Sequence, residues 1–224
     1  RVLRIAGSSD SLRQGAGDME DLKKLFFIYN PHSGREQIRT KLSDILQIFS
    51  AAGYELTVYP TRESQDAIRK IQNLPDEYDL VVCSGGDGTM DEVVEGMMQR
   101  EKKIPIGYIP SGTVNDFARS LKIPRDMKKA ARIAVEGRDF PCDMGTFNDG
   151  HFVYIAAFGI FTDVAYSTDQ NMKNVLGHMA YLLEGVKRLT NIPSYHVRFS
   201  SEELSEEGDF IFGMVTNSRS VGGF

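Results

Sequence analysis

The sequence predicts an α/β protein: an open, mostly parallel sheet with helices on both faces, followed by part of a second, strand-rich antiparallel domain. Three observations predict this. From Leu25 onward, short apolar runs alternate with stretches of helical spacing, the pattern of parallel strands joined by crossover helices. The apolar runs are continuous, as befits strands covered on both faces. Beyond Gly137 the texture changes to short runs separated by turn residues, which marks antiparallel pairing.

Leu25–Tyr29 is an apolar run ending at Asn30-Pro31, a buried strand entering a loop. Ile38, Leu42, Ile45, Leu46 and Phe49 then recur at helical spacing, and Gly53 supplies the stop. Tyr54–Tyr59 is the second strand, and a polar helix over Glu63–Leu74 closes at Pro75. Asp79–Cys83 is the third strand. The helix over Thr89–Gln99 carries Val93, Val94, Met97 and Met98 on one side. Ile106–Ile109 is the fourth strand, with helices near Val114–Leu121 and Met127–Val135. The α/β domain is thereby bounded at residues 24–137.

Residues 138–224 read as the opening of the second domain. Phe140–Phe147, the turn Asn148-Asp149-Gly150 and Phe152–Phe158 predict a hairpin, followed by a helix over Met172–Thr190 and strands at Tyr195–Phe199 and Phe210–Thr216. No closing element follows, so this domain is expected to be truncated. Residues 1–23 carry Gly7, Ser8, Ser9, Gly15 and Gly17 with little periodicity, and are set aside as a flexible extension or a remnant of expression.

A formal charge of -5 and a pI near 5.5 provide no basic footprint, which argues against a nucleic-acid partner. Cys83 and Cys142 stand far apart in apolar surroundings, so they are expected to be buried free thiols rather than zinc ligands or a disulfide. No apolar run approaches the ~20 residues of a transmembrane helix. Contact with a membrane is therefore expected from the water side.

Three polar glycine turns follow strands directly. Ser84-Gly85-Gly86-Asp87-Gly88-Thr89 lies between the third strand and a helix. Its glycines allow close backbone approach to an anion, and the helix start offers unpaired N–H groups. Asp87 would repel a bare phosphate, so it suits a bound cation or an incoming hydroxyl; capping its own helix is the bland alternative. The dinucleotide fingerprint needs glycine where Asp91 stands, and no G-x-x-x-x-G-K-[ST] stretch occurs.

Asn30-Pro31-His32-Ser33-Gly34 follows the first strand; Ser33 and Asn30 can donate to phosphate or ribose oxygens, whereas His32 reads as a solvated loop residue. Pro110-Ser111-Gly112-Thr113-Val114-Asn115-Asp116 follows the fourth strand; capping accounts for Asn115 and Asp116 as well as catalysis does. Three such turns at the carboxyl ends of one sheet would face one crevice.

In this order and spacing, Asn30–Gly34, Gly85–Thr89 and Gly112–Asp116 resemble the diacylglycerol kinase catalytic-domain family, most closely its soluble bacterial lipid kinases, over about Lys24–Phe224. The Gly-Gly-Asp-Gly element is shared with NAD kinases and phosphofructokinases. The resemblance implies ATP and Mg2+ as cofactors, with ATP between the domains. Nucleotide contacts are implied at Asn30, Pro31, His32, Ser33, Gly34, Thr61, Gly85, Gly86, Asp87, Gly88, Thr89, Met90, Asp91 and Thr113. Asp87, Asp116 and Asp143 are implied in a carboxylate, water and magnesium network, with Asp87 at the metal.

Further implied are a lipid alcohol acceptor presented at a membrane surface, a cytoplasmic location peripheral to the inner membrane, and a homodimer as one open assembly. Two departures stand out. The family usually has asparagine where this chain has Asp91, which adds negative charge beside the phosphate site. The family's general base, a glutamate in an Asp-Gly-Glu turn, has no counterpart here, and its later magnesium-binding loop would fall past Phe224. The expected activity is γ-phosphoryl transfer from ATP to a lipid hydroxyl, most simply diacylglycerol. The alternatives are a kinase of a soluble alcohol such as NAD, or a non-catalytic lipid- or nucleotide-binding module.

Overall fold

The computed structural model describes residues 2–7, 22–34, 37–159 and 193–217. The expected helix over Met172–Thr190 lies outside these. Four neighbouring parallel strands run inward from one edge of a six-stranded sheet: β2 (Lys23–Tyr29), β3 (Tyr54–Pro60), β4 (Leu80–Gly85) and β5 (Ile106–Pro110), with β3 at the edge. All of β4 and β5 and Leu25–Ile28 of β2 are buried, which explains their unbroken apolar character.

The helices are α1 (Ile38–Ala51), α2 (Asp66–Gln72), α3 (Asp87–Met98), α4 (Asp116–Ser120) and α5 (Met127–Glu136). Helix α1 packs with α5, and α2 with α3. The right-handed crossover rule puts α1 on the opposite face from α2 and α3, since the chain winds from β2 to β3 in one direction and from β3 to β4 and β4 to β5 in the other; α5 lies with α1 through their contact. The core is continuous between layers, joining Phe26, Phe27 and Phe49 to Met90, Val93, Met97 and Ala130.

The sheet order is β3-β2-β4-β5-β1-β6. Strand β1 (Val2–Gly7) runs parallel to β5 and antiparallel to β6 (Arg138–Asp143), with Val2 opposite Asp143 and Gly7 opposite Arg138. Within the span set aside as an extension, residues 2–7 lie in the sheet. Six residues suffice to satisfy the open backbone edge of β5, and a ladder needs no long apolar run to form.

The described residues divide into two units, one from Arg1–Tyr154 joined by Asn217 and one from Ile155–Thr216. The division between these units falls after Tyr154. Strand β6 completes the first sheet through β1. The small hairpin of β7 (Gly145–Phe147) and β8 (Gly150–Phe152) is tied to α3, with His151 N–H and Nδ1 on Glu95 Oε2 at 2.7 and 3.1 Å.

In the second unit, β9 (Ile155–Gly159) pairs antiparallel with β12 (Phe212–Thr216), and β10 (Tyr195–Ser200) with β11 (Ser205–Phe210). The rings of Phe158, Tyr195, Phe199 and Phe210 pack on one another. Strand β11, Ser-Glu-Glu-Gly-Asp-Phe, carries no apolar alternation and so escapes sequence reading. Cross-strand pairs hold it, Arg198 to Glu207 at 2.5 Å and His196 to Asp209 at 2.9 Å.

Candidate functional site

The strand order reverses between β2 and β4, and both strands end there in glycine turns. Asn30 N–H donates to Ser84 O at 2.9 Å, which locks the first turn to the start of the second. The Asn30 amide crosses to Thr89 Oγ1 at 3.4 Å, and Asn30 Oδ1 accepts the His32 N–H at 2.9 Å. His32 is exposed and Ser33 buried. Thr61, just past β3, joins the group by donating its N–H to Tyr29 O at 2.9 Å.

The third turn packs on the first two. Gly34 has φ +57°, and a Cβ there would stand 2.4 Å from Ser111 O. A Cβ on Gly112 would stand 2.5 Å from Gly86 Cα and 2.7 Å from Asn115 Oδ1. Backbone meets backbone at these points, so glycine is required by protein packing alone. Ser84 and Ser111 hydroxyls bond across the same junction at 3.2 Å, and Gly85 O accepts the Ser111 N–H and the Tyr108 hydroxyl. Gly88 differs. Beyond its chain neighbours and its own helix backbone, no heavy atom lies within 4 Å of its would-be Cβ, although it sits in the first turn of a helix, where glycine is unfavourable.

Asp87 does not cap its own helix. Gly86 is the N-cap of α3, and the Asp87 carboxylate accepts the backbone N–H of Asp116 at 3.0 Å and of Phe117 at 3.1 Å. Asn115, in the left-handed conformation, does not cap α4 either. Its side chain folds back to bond both the N–H (2.9 Å) and the carbonyl (2.6 Å) of Gly112. Burial pushes the Asp87 carboxyl above the usual range, against the N–H bonds from Phe117 and Asp116, and the charge of Asp116 adds to the rise.

Asp116 is fully buried; its Oδ2 accepts the Tyr154 hydroxyl at 2.8 Å and Arg119 Nη1 stands 3.6 Å from its Oδ1. Asp91 turns toward the segment after β8 and accepts the Val153 N–H at 2.9 Å. Burial pushes its carboxyl up to about 7, against that hydrogen bond, with the charge of Asp87 contributing.

Not every expected residue converges. Met90 has its side chain in the core and its N–H on Gly86 O, so it presents nothing to a ligand. Thr113 is exposed on the third turn. Asp143 ends β6, and the hydrogen bonds found at it, from Asn217 Nδ2 (2.7 Å) and Cys142 Sγ (3.5 Å), go to its carbonyl. Both cysteines are free and buried. Sequence reading missed Val153, Tyr154 and Asn217, whose spacing carries no motif. Among the described residues, no cluster of three or more His, Cys, Asp and Glu side chains could hold a metal, and no helix is long and apolar enough to cross a membrane.

A parallel sheet with polar glycine turns at its topological switch point defines an α/β domain of the doubly wound class, whose ligands sit at the carboxyl ends of the strands. The profile described as "Diacylglycerol kinase catalytic domain" matches residues 24–147, a span that contains all three turns. The chain is 38% identical over 205 residues to a diacylglycerol kinase of Bacillus subtilis (strain 168), covering 91% of this chain and 68% of that one. It is 35% identical over 203 residues to a diacylglycerol kinase of Staphylococcus carnosus (strain TM300), covering 90% and 66%. The crystal structure of a diacylglycerol kinase from Bacillus anthracis str. Sterne superposes with a TM-score of 0.71 at 28% identity, over 90% of this chain and 66% of that one. This chain belongs to the diacylglycerol kinase catalytic-domain family. It spans about two thirds of the length of these relatives.

Proposed function

We propose that this chain forms the nucleotide-binding core of an ATP-dependent lipid kinase, which transfers the γ-phosphoryl group to the hydroxyl of a lipid alcohol. Diacylglycerol is the acceptor favoured by the relatives, and phosphatidic acid the product. The observation that carries this reading is Gly88. It opens α3 at the switch point, where a side chain would meet no protein atom beyond its chain neighbours and its own helix backbone. Space of this kind beside unpaired helix N–H groups suits a phosphate.

The nucleotide phosphates would rest on Asn30–Gly34 and Gly85–Thr89, with Thr61 and Thr113 at the margins. Asp91 would stand near them but face the β8 side. The donor set fits magnesium in its usual manner, one or two carboxylates supplemented by substrate phosphates and water, rather than a protein cage. Asp87 and Asp116 are adjacent, and the proton affinity of Asp87 is raised by burial and by its neighbour's charge. A divalent cation would relieve that repulsion. Asp87 would hold it, with Asp116 beside it; Asp143 does not converge on this pair. When bound, the ion neutralises charge on the transferring phosphoryl group.

The protein's own part is positional. Bonds among the three turns hold the phosphate-facing backbone rigid, so reaction demands little reorganisation. The lipid would be reached from the aqueous side of a membrane.

The test is transfer of label from γ-labelled ATP, by the full-length protein, to diacylglycerol in mixed micelles with magnesium. Labelled phosphatidic acid is expected. Phosphorylation of NAD without any of diacylglycerol would replace the lipid acceptor by a soluble one. No transfer to either, in a folded protein, would overturn the reading.

A further inference from the structure

Two consecutive residues between β8 and β9 contact both helices that open the crevice. The Val153 N–H donates to Asp91 Oδ1 on α3 at 2.9 Å, and the Tyr154 hydroxyl donates to Asp116 Oδ2 on α4 at 2.8 Å. The same backbone is held from behind by Asn217. Its N–H donates to Tyr154 O at 3.0 Å, and its side-chain amide donates to Val153 O at 3.3 Å and to Asp143 O at 2.7 Å. Val153 is fully buried. The phenol therefore reaches Asp116 from a backbone fixed at several points.

A fully buried carboxylate is costly unless donors satisfy it. Tyr154 supplies one, its hydroxyl donating at an ordinary O–H···O distance of 2.8 Å. The bond goes to one oxygen, Oδ2, whereas the cation Arg119 stands at the other, Oδ1, at 3.6 Å. Phenol and guanidinium together define the plane of the carboxylate. The Asp116 N–H is at the same time spent on Asp87 Oδ2 at 3.0 Å, so one residue holds both carboxylates side by side.

We propose that Tyr154 is a positioning residue for the site: its phenol orients the Asp116 carboxylate beside Asp87, without touching nucleotide. This rests on the reading of Asp87 and Asp116 as members of the kinase site. Orienting partners of this sort, one bond removed from the chemistry, are typically worth ten- to a hundredfold in activity.

The test uses the full-length protein with Tyr154→Phe, Asp116→Asn and the two combined. Tyr154→Phe removes one oxygen and should remain folded by near-ultraviolet circular dichroism. Its kcat should fall about tenfold, while KM for ATP and the calorimetric affinity for ADP stay within about twofold of wild type. In urea unfolding the two substitutions should be non-additive, because the second removes a partner already lost.

Wild-type kcat in folded Tyr154→Phe overturns the inference, and so does additivity in unfolding. A rise in KM with kcat unchanged overturns it in favour of direct nucleotide contact. An unfolded Tyr154→Phe overturns it in favour of a structural role. Wild-type turnover in Asp116→Asn is a separate failure: it sinks the reading of Asp116 as a site residue, on which the inference stands.

Discussion

The Asp87 carboxylate caps the helix that Asp116 begins, its two oxygens taking the N–H groups of Asp116 and Phe117 at 3.0 and 3.1 Å. One residue thereby fastens the turn after β4 to the turn after β5. Capping, one of the alternatives the sequence offers for this side chain, is realised on α4 rather than on the helix that carries it.

That geometry changes the expectation for Asp87→Asn. Within its own helix asparagine would cap as well as aspartate. Here an amide can accept only one of the two N–H groups and turns its own N–H toward the other. A stability loss of about 1–3 kcal/mol is expected in urea unfolding. In the full-length protein kcat should also fall by roughly two orders of magnitude or more, with ATP affinity changing much less. Turnover per folded molecule at the wild-type level would reduce Asp87 to a cap.

Gly88→Ala separates folding from ligand binding. A methyl group at this helical position meets no protein atom within 4 Å beyond its chain neighbours and its own helix backbone. Alanine should therefore raise the stability of the ligand-free protein by about 0.5–1 kcal/mol. Nucleotide affinity measured by calorimetry should drop at least tenfold if phosphate occupies that space. A stabilised variant with unchanged affinity would place the phosphate elsewhere.

Gly112→Ala should behave in the opposite way. Its methyl would lie 2.5 Å from Gly86 Cα, backbone that cannot swing aside. Destabilisation of about 1–3 kcal/mol is expected before any ligand is added. The site of a Cβ on Gly86 is 3.4 Å from Gly112 Cα, so Gly86→Ala should be the milder change. Thermal melts of the two variants give the order directly, and a reversed order would mean the turns are not packed as described.

Asp91 imposes a pH dependence on stability. Its carboxyl is near 7 when folded and about 4 when unfolded. The folded protein thus holds an extra proton between these values, and the contribution of Asp91 is fully present below about pH 4 and lost as pH rises through about 7. Asp91→Asn retains an acceptor for the Val153 N–H without the charge. Its stability advantage over wild type should be absent near pH 4, grow toward pH 7, and level off at a few kcal/mol at most. An advantage independent of pH would contradict the assigned burial.

The sequence by itself determined the sheet and the places where its turns would gather. Continuous apolar runs at Leu25–Tyr29, Asp79–Cys83 and Ile106–Ile109 can be satisfied only by burial on both faces, and helix-length spacers between them force parallel pairing. Each glycine turn follows a strand directly, so its position at the carboxyl end is set locally. Tertiary structure decided the rest. Strand β1 and strand β11 take their stability from partner backbones and cross-strand charges, which leave no periodic trace. Met90 falls in the core and Asp143 engages through its carbonyl, because helix phase and ladder register, not motif membership, direct side chains. The trans cap from Asp87 to α4, the Gly34–Ser111 and Gly86–Gly112 contacts, and the bonds from Val153 and Tyr154 to Asp91 and Asp116 link residues 26 to 77 positions apart or reached by different turns. Such pairings depend on how the layers close around the crevice, and no local pattern of residues encodes that closure.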